Sequence, residues 1–451
     1  KVLCCQGSAT DSATVSPGTI TPYNSPSWSA DSPFDDPDGF KFGEDGDKGT
    51  VKCGSYLGNA SSSGPEINLG WEPQWILLKR VSGGTGNWAV FDSMRGIVTA
   101  GDDPVLQPDL SDAEYTTTQY LDVTSTGFQL KGNFGQSNAS GDTYLYMAIR
   151  RPDGYVGKPA EAGTDAFALD TGNSSSTIPS FDSTFAVDFA LAKEPASNVE
   201  WYAVPRLTEE QLHPNTSGDG NTNPMWGFDS NVGWANASSL NTNYQSWMWK
   251  RGQGFDVVAY AGNSVAGRQI FHSLNQVPEM MWVKNRDTTD NWKVYHKDLN
   301  GGSSPEDYHL GLNQNTAEFN SSVTWNDTAP TSSVFTLGGH ASVNGGDMVA
   351  MLFSSVDGIS KCGTYTGTDS NPGPTITTGF QPRFIMIKCR NQTGNWVVLD
   401  SLRTFDNYSW LNLTNAQSNT LDILDVSSTG FTLKQAYTDT NVYEYIYYAH
   451  A

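Results

Sequence analysis

Two stretches of the chain write nearly the same phrase: TGNWAVFDSMRG at 85–96 and TGNWVVLDSLRT at 393–404 share eight of twelve letters. Their polar letters are a carboxylate, a hydroxyl and a guanidinium: Asp92, Ser93 and Arg95 in the first, Asp400, Ser401 and Arg403 in the second. Such a set supports two chemistries. A serine beside a carboxylate is a candidate nucleophile, but it needs a base to take its proton, and no His lies near either copy. The other chemistry is structural. Asp and Ser cap the turn that follows a strand, Arg pairs back onto the Asp, and Trp88 and Trp396 anchor the strand in the core. The pattern favours the structural reading, because the scaffold letters recur where the polar ones drift. Trp201 and Trp292 occupy the same place in two further copies, with Pro205 and Arg206-Leu207 in one and His296 and Leu299 in the other where Asp and Arg would stand.

Other constellations are weaker. His272, His296, His309 and His340 cluster in one region, but their spacing fits no metal motif and does not recur. FDDPDGFKFGEDGDKG (34–49) has the acidity of a calcium loop without its ligand order or closing Glu, and reads as a solvated, turn-rich segment. No P-loop, GxSxG or HExxH occurs, and no pair of carboxylates is singled out for glycoside cleavage. No cofactor is implied. The aromatic runs holding Tyr144, Tyr146, Trp247, Trp249, Tyr443, Tyr445, Tyr447 and Tyr448 suit core packing, an oligomer interface or a sugar-stacking platform.

The elements that must carry these residues repeat. KCGSYLGNA (52–60), DAFALDTGN (165–173), DVVAYAGNS (256–264) and KCGTYTGTD (361–369) each read as a short strand closing on a Gly turn. Then come PQWILLK (73–79), VDFALAK (187–193), PEMMWVK (278–284) and PRFIMIK (382–388), each ending in Lys, with the Trp eight or nine residues later. STGFQL (125–130), SSVFTL (332–337) and STGFTL (428–433) follow, NVGW (231–234) being a weaker counterpart, and an aromatic strand closes each unit. The units fall at 50–155, 156–253 (divergent), 254–355 and 356–451, behind an irregular acidic lead at 1–49. Continuous runs such as WILL and FIMI suit strands buried on both faces, and alternating runs such as TYLYMA suit strands with one wet face. The fold class is all-β: tandem β-sandwich repeats of jelly-roll or lectin-like shape, arranged as beads on a string rather than a thin solenoid, with two units sharing one larger sandwich as the alternative. LTEEQL (207–212) is the best short helical candidate.

Composition agrees. Aromatics are 12% of the 451 residues, 14 of them Trp, which demands packed surfaces. The formal charge of −22 makes nucleic acid a poor partner. The five cysteines (4, 5, 53, 362, 389) form no zinc or disulfide pattern and suit a reducing compartment such as a bacterial cytosol. Sequons at Asn59, Asn138, Asn173, Asn236, Asn391 and Asn412 are what an Asn-, Ser- and Thr-rich chain produces by chance. No apolar run reaches the ~18–20 residues that span a bilayer. The opening KVLCCQ, with neither Met nor a signal peptide, suggests a start inside a longer polypeptide or after a cleavage.

The order Y-x-G, G-F-x-P-x-φ-φ-φ-φ-K, G-N-W-x-φ-x-D-S-x-R, T-G-F-x-L, Y-φ-x-φ-A resembles a repeat in virion proteins of tailed bacteriophages, those of marine cyanobacteria and other marine bacteria above all. GWEPQWILLK and GFQPRFIMIK carry it best; the third unit matches fairly and the second in outline. The resemblance brings no catalytic residues. It implies a non-enzymatic protein on the exterior of the particle, a tail fibre or appendage used in host-surface attachment. A capsid-surface or head–tail decoration protein and a polysaccharide-degrading tailspike are the alternatives. Its implied partners are other virion proteins, further copies of itself as a closed oligomer (a trimer, as in fibres) and a host surface glycan, with no nucleic acid and no membrane insertion.

Overall fold

Short runs of β-branched and aromatic residues between Gly, Asn and Ser turns form antiparallel strands throughout residues 49–451, the part described by the computed structural model. The acidic lead and its calcium-like stretch fall almost wholly outside the described residues. The chain is all-β, and its sheets pack face to face as sandwiches.

One connectivity occurs four times. In the first sheet the order is Val51–Leu57, Thr143–Arg150, Pro73–Arg80, Ala89–Asp92. The second runs Phe167–Thr171, Gln245–Trp249, Phe189–Lys193, Tyr202–Pro205, and the third Phe255–Ala261, Asp347–Phe353, Met280–Asn285, Lys293–His296. The fourth runs Ser360–Thr366, Glu444–His450, Phe384–Cys389, Trp396–Asp400, and adds Tyr408–Trp410 at its edge. Each sheet therefore sets the last strand of its segment between the first and second. Registers agree as well: Leu77 faces Met147, Leu191 faces Trp247, Trp282 faces Met351 and Met386 faces Tyr448.

One face of each main sheet is covered by a smaller sheet from its own segment. Gly127–Leu130, Gly233–Trp234, Val334–Leu337 and Gly430–Leu433 are the recurring strands there. Four private cores result, the first holding Ile76, Leu78 and Phe128, the fourth Ile385, Ile387 and Phe431. On the first strand, a Gly makes room for the neighbouring Tyr ring. A Cβ on Gly54 would lie 2.6 Å from the Tyr146 hydroxyl oxygen, and one on Gly363 2.7 Å from that of Tyr447.

The opposite faces distinguish the sheets. In the second, third and fourth they converge on one shared core, where Trp201, Trp249, Trp282, Trp292, Met386, Trp396 and Tyr448 meet. The arrangement as beads on a string is thus overturned: three sandwiches close around a common centre. The reason is that their strands are apolar on both sides, as FALAK and FIMIKC show, and the second apolar face must also leave water. The aromatic strand that closes the fourth unit is likewise buried on both sides from Tyr445 onward. The helical expectation for 207–212 also fails. That segment is a turn leading into the two-residue strand Glu210–Gln211, and the described α-helices are the four-residue Ser322–Trp325 and Ala341–Asn344.

Candidate functional site

The repeated phrase forms the same turn twice. After Trp396–Asp400, Asp400 Oδ1 accepts the Arg403 backbone N–H at 3.0 Å, and Oδ2 takes the Arg403 guanidinium at 2.7 Å. After Ala89–Asp92, Asp92 Oδ1 accepts Arg95 N–H at 2.9 Å, and Oδ2 lies 2.7 Å from the Arg95 guanidinium. Each carboxylate is thus occupied by its own turn and its own arginine. The serines stand apart from this pairing; Ser93 and Ser401 use their backbone N–H groups on the carbonyls of Gln74 and Arg383. The fourth-sheet copy is buried and carries more: Asp400 also accepts the Trp247 indole N–H at 3.1 Å, and Arg403 lies 5.4 Å over the Trp247 ring. Arg206, in the second copy, has its guanidinium spent on Val187 and Ser93 carbonyls.

The four tryptophans divide three to one. Trp201, Trp292 and Trp396 are buried in the shared core, and their indole N–H groups donate across sheets in a ring. Trp396 gives to the Gly311 carbonyl at 2.9 Å, Trp292 to His213 at 3.0 Å and Trp201 to Trp410 at 3.0 Å. The direction runs fourth to third, third to second, second to fourth, so the circuit closes. Trp88, expected in the core, is instead 38% exposed, because nothing among the described residues covers the outer face of its sheet.

The Lys that closes each apolar run follows the same circuit. Lys388 donates to the carbonyls of Asn315 and Thr316, Lys284 to Ser217 and Lys193 to Thr414, besides carbonyls of their own segments. Burial pulls all three ammonium groups down to about 8 from 10.5. Lys79 donates at 2.7 Å to Gly86 of its own segment. Arginines two residues after the Lys add rim contacts: Arg390 pairs with Glu318 at 2.6 Å and Arg286 with Glu210 at 2.8 Å.

Two sets of polar residues escaped the reading of the sequence. Arg251 holds both oxygens of Glu72 at 2.7 Å and Asp256 at 2.8 Å, and Arg151 holds Asp256 at 2.7 Å, all four side chains being nearly buried. Burial alone would raise the Asp256 carboxyl, but the two arginines hold it down at about 2. This cluster fastens the first sheet's segment to the next two. Asn138, Asn344 and Asn441 are buried hubs, each taking an N–H on its side-chain oxygen and giving its amide to two carbonyls. A repeated Asn seven or eight residues after the Leu of Phe-x-Leu was the available signal for them.

The histidines do not meet as ligands: among the described residues no group of three or more His, Cys, Asp or Glu is placed to hold a metal. His296 is pushed to about 3 by burial and by Lys297. His309, pushed to about 3 by burial and by Lys293 and His340, stands 3.0 Å from Lys293 Nζ beside a polar hollow that His340 also lines. Of the aromatic strand residues, Tyr144, Trp247, Trp249, Tyr445, Tyr447 and Tyr448 are buried, Tyr146 is half-buried and Tyr443 is exposed. No helix among the described residues is long and apolar enough to cross a membrane.

The arrangement thus joins sheet to sheet and segment to segment. Residues 42–151 and 171–451 match a family model described as a domain of unknown function, DUF7483. No curated protein and no solved structure matches the chain.

Proposed function

The chain belongs to the DUF7483 family, and we propose that it is a non-catalytic structural protein on the exterior of a tailed-bacteriophage particle, in a tail fibre or appendage that attaches to the host surface. One observation carries this reading. In the last three units the Trp indole and the Lys ammonium are spent on neighbouring sheets, and each Asp–Arg pair is spent on its own turn. What the unit repeats is therefore a way of assembling. The resemblance of GWEPQWILLK, GNWAVFDSMR and their later copies to repeats of marine phage virion proteins supplies the place. A sandwich body whose three sheets lock around one centre suits a particle surface, where rigidity and copy number turn weak contacts with cell-surface glycan into firm attachment.

The test is gold-labelled antibody against the chain on intact phage, viewed by electron microscopy. Label at the tail tip or its appendages supports attachment. Label over the head turns the protein into a decoration protein, and no label on any particle removes the virion reading.

A further inference from the structure

The first sheet carries the same outer face that the other three bury against one another, and there nothing among the described residues covers it. Leu145, Met147 and Leu77 stand in the register positions of Ile446, Tyr448 and Met386, which lie in the shared core. Cys53 stands where Cys362 does; Cys53 is exposed and Cys362 buried. Leu145 is 49% exposed and Val51 52%. A strand with apolar residues on both sides and water on one of them is a face lacking its partner.

We propose that this face binds the same face of two further copies of the chain, so that the protein is a homotrimer whose centre repeats the one inside each chain. The hydrogen bonds select the occupant. Trp88 N–H meets Asp109 Oδ1, as Trp201, Trp292 and Trp396 meet Asn215, Asn313 and Asn412. This aligns Gln107 with His213, Gly311 and Trp410, the carbonyls that receive the indoles in the ring. All four accept the same turn bond, from Leu110, Thr216, Gln314 and Leu413 respectively. Each copy therefore offers a Trp88 indole and a Lys79 ammonium on one side, with the Gln107 carbonyl and the chain near Ser111 on the other. Inside the chain each sheet gives its indole to one neighbour and accepts from the other, a head-to-tail order that closes after three, and the same donors and acceptors on three copies repeat it. The inference does not depend on where the protein is used.

The experiment is the molar mass of the full chain by sedimentation from nanomolar to tens of micromolar, with maleimide labelling of Cys53 read by peptide mapping. The proposal expects a species of three chain masses, Cys53 protected at high concentration and labelled at least tenfold faster on dilution. Leu145→Asp should give a monomer with Cys53 reactive throughout, while Val265→Asp, 60% exposed on another segment, leaves the trimer intact. A chain monomeric at all concentrations overturns the proposal. So does a monomer in which Cys53 is protected at every dilution, which would put residues 1–48 over the face. A dimer, or a trimer indifferent to Leu145→Asp, also overturns it. The labelling arm needs no variant, so misfolding of Leu145→Asp would not shield the proposal.

Discussion

Trp88 and Trp396 hold the same place in the same phrase, at the start of equivalent strands of two sheets, yet one is 38% exposed and the other 1%. Around Trp396 stand two other sheets; among the described residues no other sheet meets Trp88. The ion pairs repeat the contrast, Asp400–Arg403 being sealed at 0% and 7% while Asp92–Arg95 sits at 22% on both sides. Equal local sequence thus made equal turns, strands and registers, and unequal burial. Burial on the outer face is decided by what docks there, and with it the energy of each copied contact.

Substitutions at paired positions measure that difference. The largest gap should be at the tryptophans. Trp396→Ala empties a site in the shared core and breaks the indole ring, costing about 3–5 kcal/mol, whereas Trp88→Ala in the dilute, dissociated chain should cost about 1 kcal/mol or less. Urea unfolding at low protein concentration checks this, and equal losses would mean the first face is covered even in the single chain. Next come the carboxylates. Asp400→Asn strands a buried arginine and should cost about 3 kcal/mol, while Asp92→Asn loses a screened pair worth about 1 kcal/mol or less.

The glycines should erase the contrast. Gly54→Ala and Gly363→Ala each drive a methyl into a tyrosine ring belonging to the first or fourth private core, so both should lose about 1–3 kcal/mol in thermal or urea unfolding. If only Gly363→Ala is costly, the first sandwich is looser than its twin throughout.

The smallest effect is a pH dependence. Burial holds Lys388 at about 8, against 10.5 unfolded. Below pH 8 both states are protonated, and the penalty for burying the charge is fully present. Between about 8 and 10.5 the folded chain has released a proton that the unfolded chain keeps, so rising pH favours folding in that window. Lys388→Met lacks this rise, and the stability of the native chain relative to it should grow between pH 7 and pH 9.5. A gap that stays flat would mean that the ammonium is not desolvated in the folded state.

Much of this was legible in the residues. Alternating and continuous apolar runs between Gly and Asn turns gave the all-β class, and the spacing from Lys to Trp marked the second strand and the start of the third in each sheet. Asp-Ser-x-Arg announced the stapled turn, which the structure draws as Asp92–Arg95 and Asp400–Arg403. The convergence of Glu72, Arg151, Arg251 and Asp256 was not legible, because Glu72 and Arg251 lie 179 positions apart and single charges carry no period. The exposure of Trp88 was equally hidden, since WILL and FIMI both read as strands buried on two faces.

The sequence by itself determined the strands, their turns and the inner face of each sandwich. These depend on side-chain alternation and turn chemistry within one segment of about a hundred residues. Only the tertiary structure decided which outer faces meet. An apolar face records that it must be covered and says nothing of what will cover it, because hydrophobic attraction has no direction and the hydrogen bonds that give it one, from Trp201, Trp292 and Trp396 to carbonyls of another segment, exist only once the sheets have closed their ring.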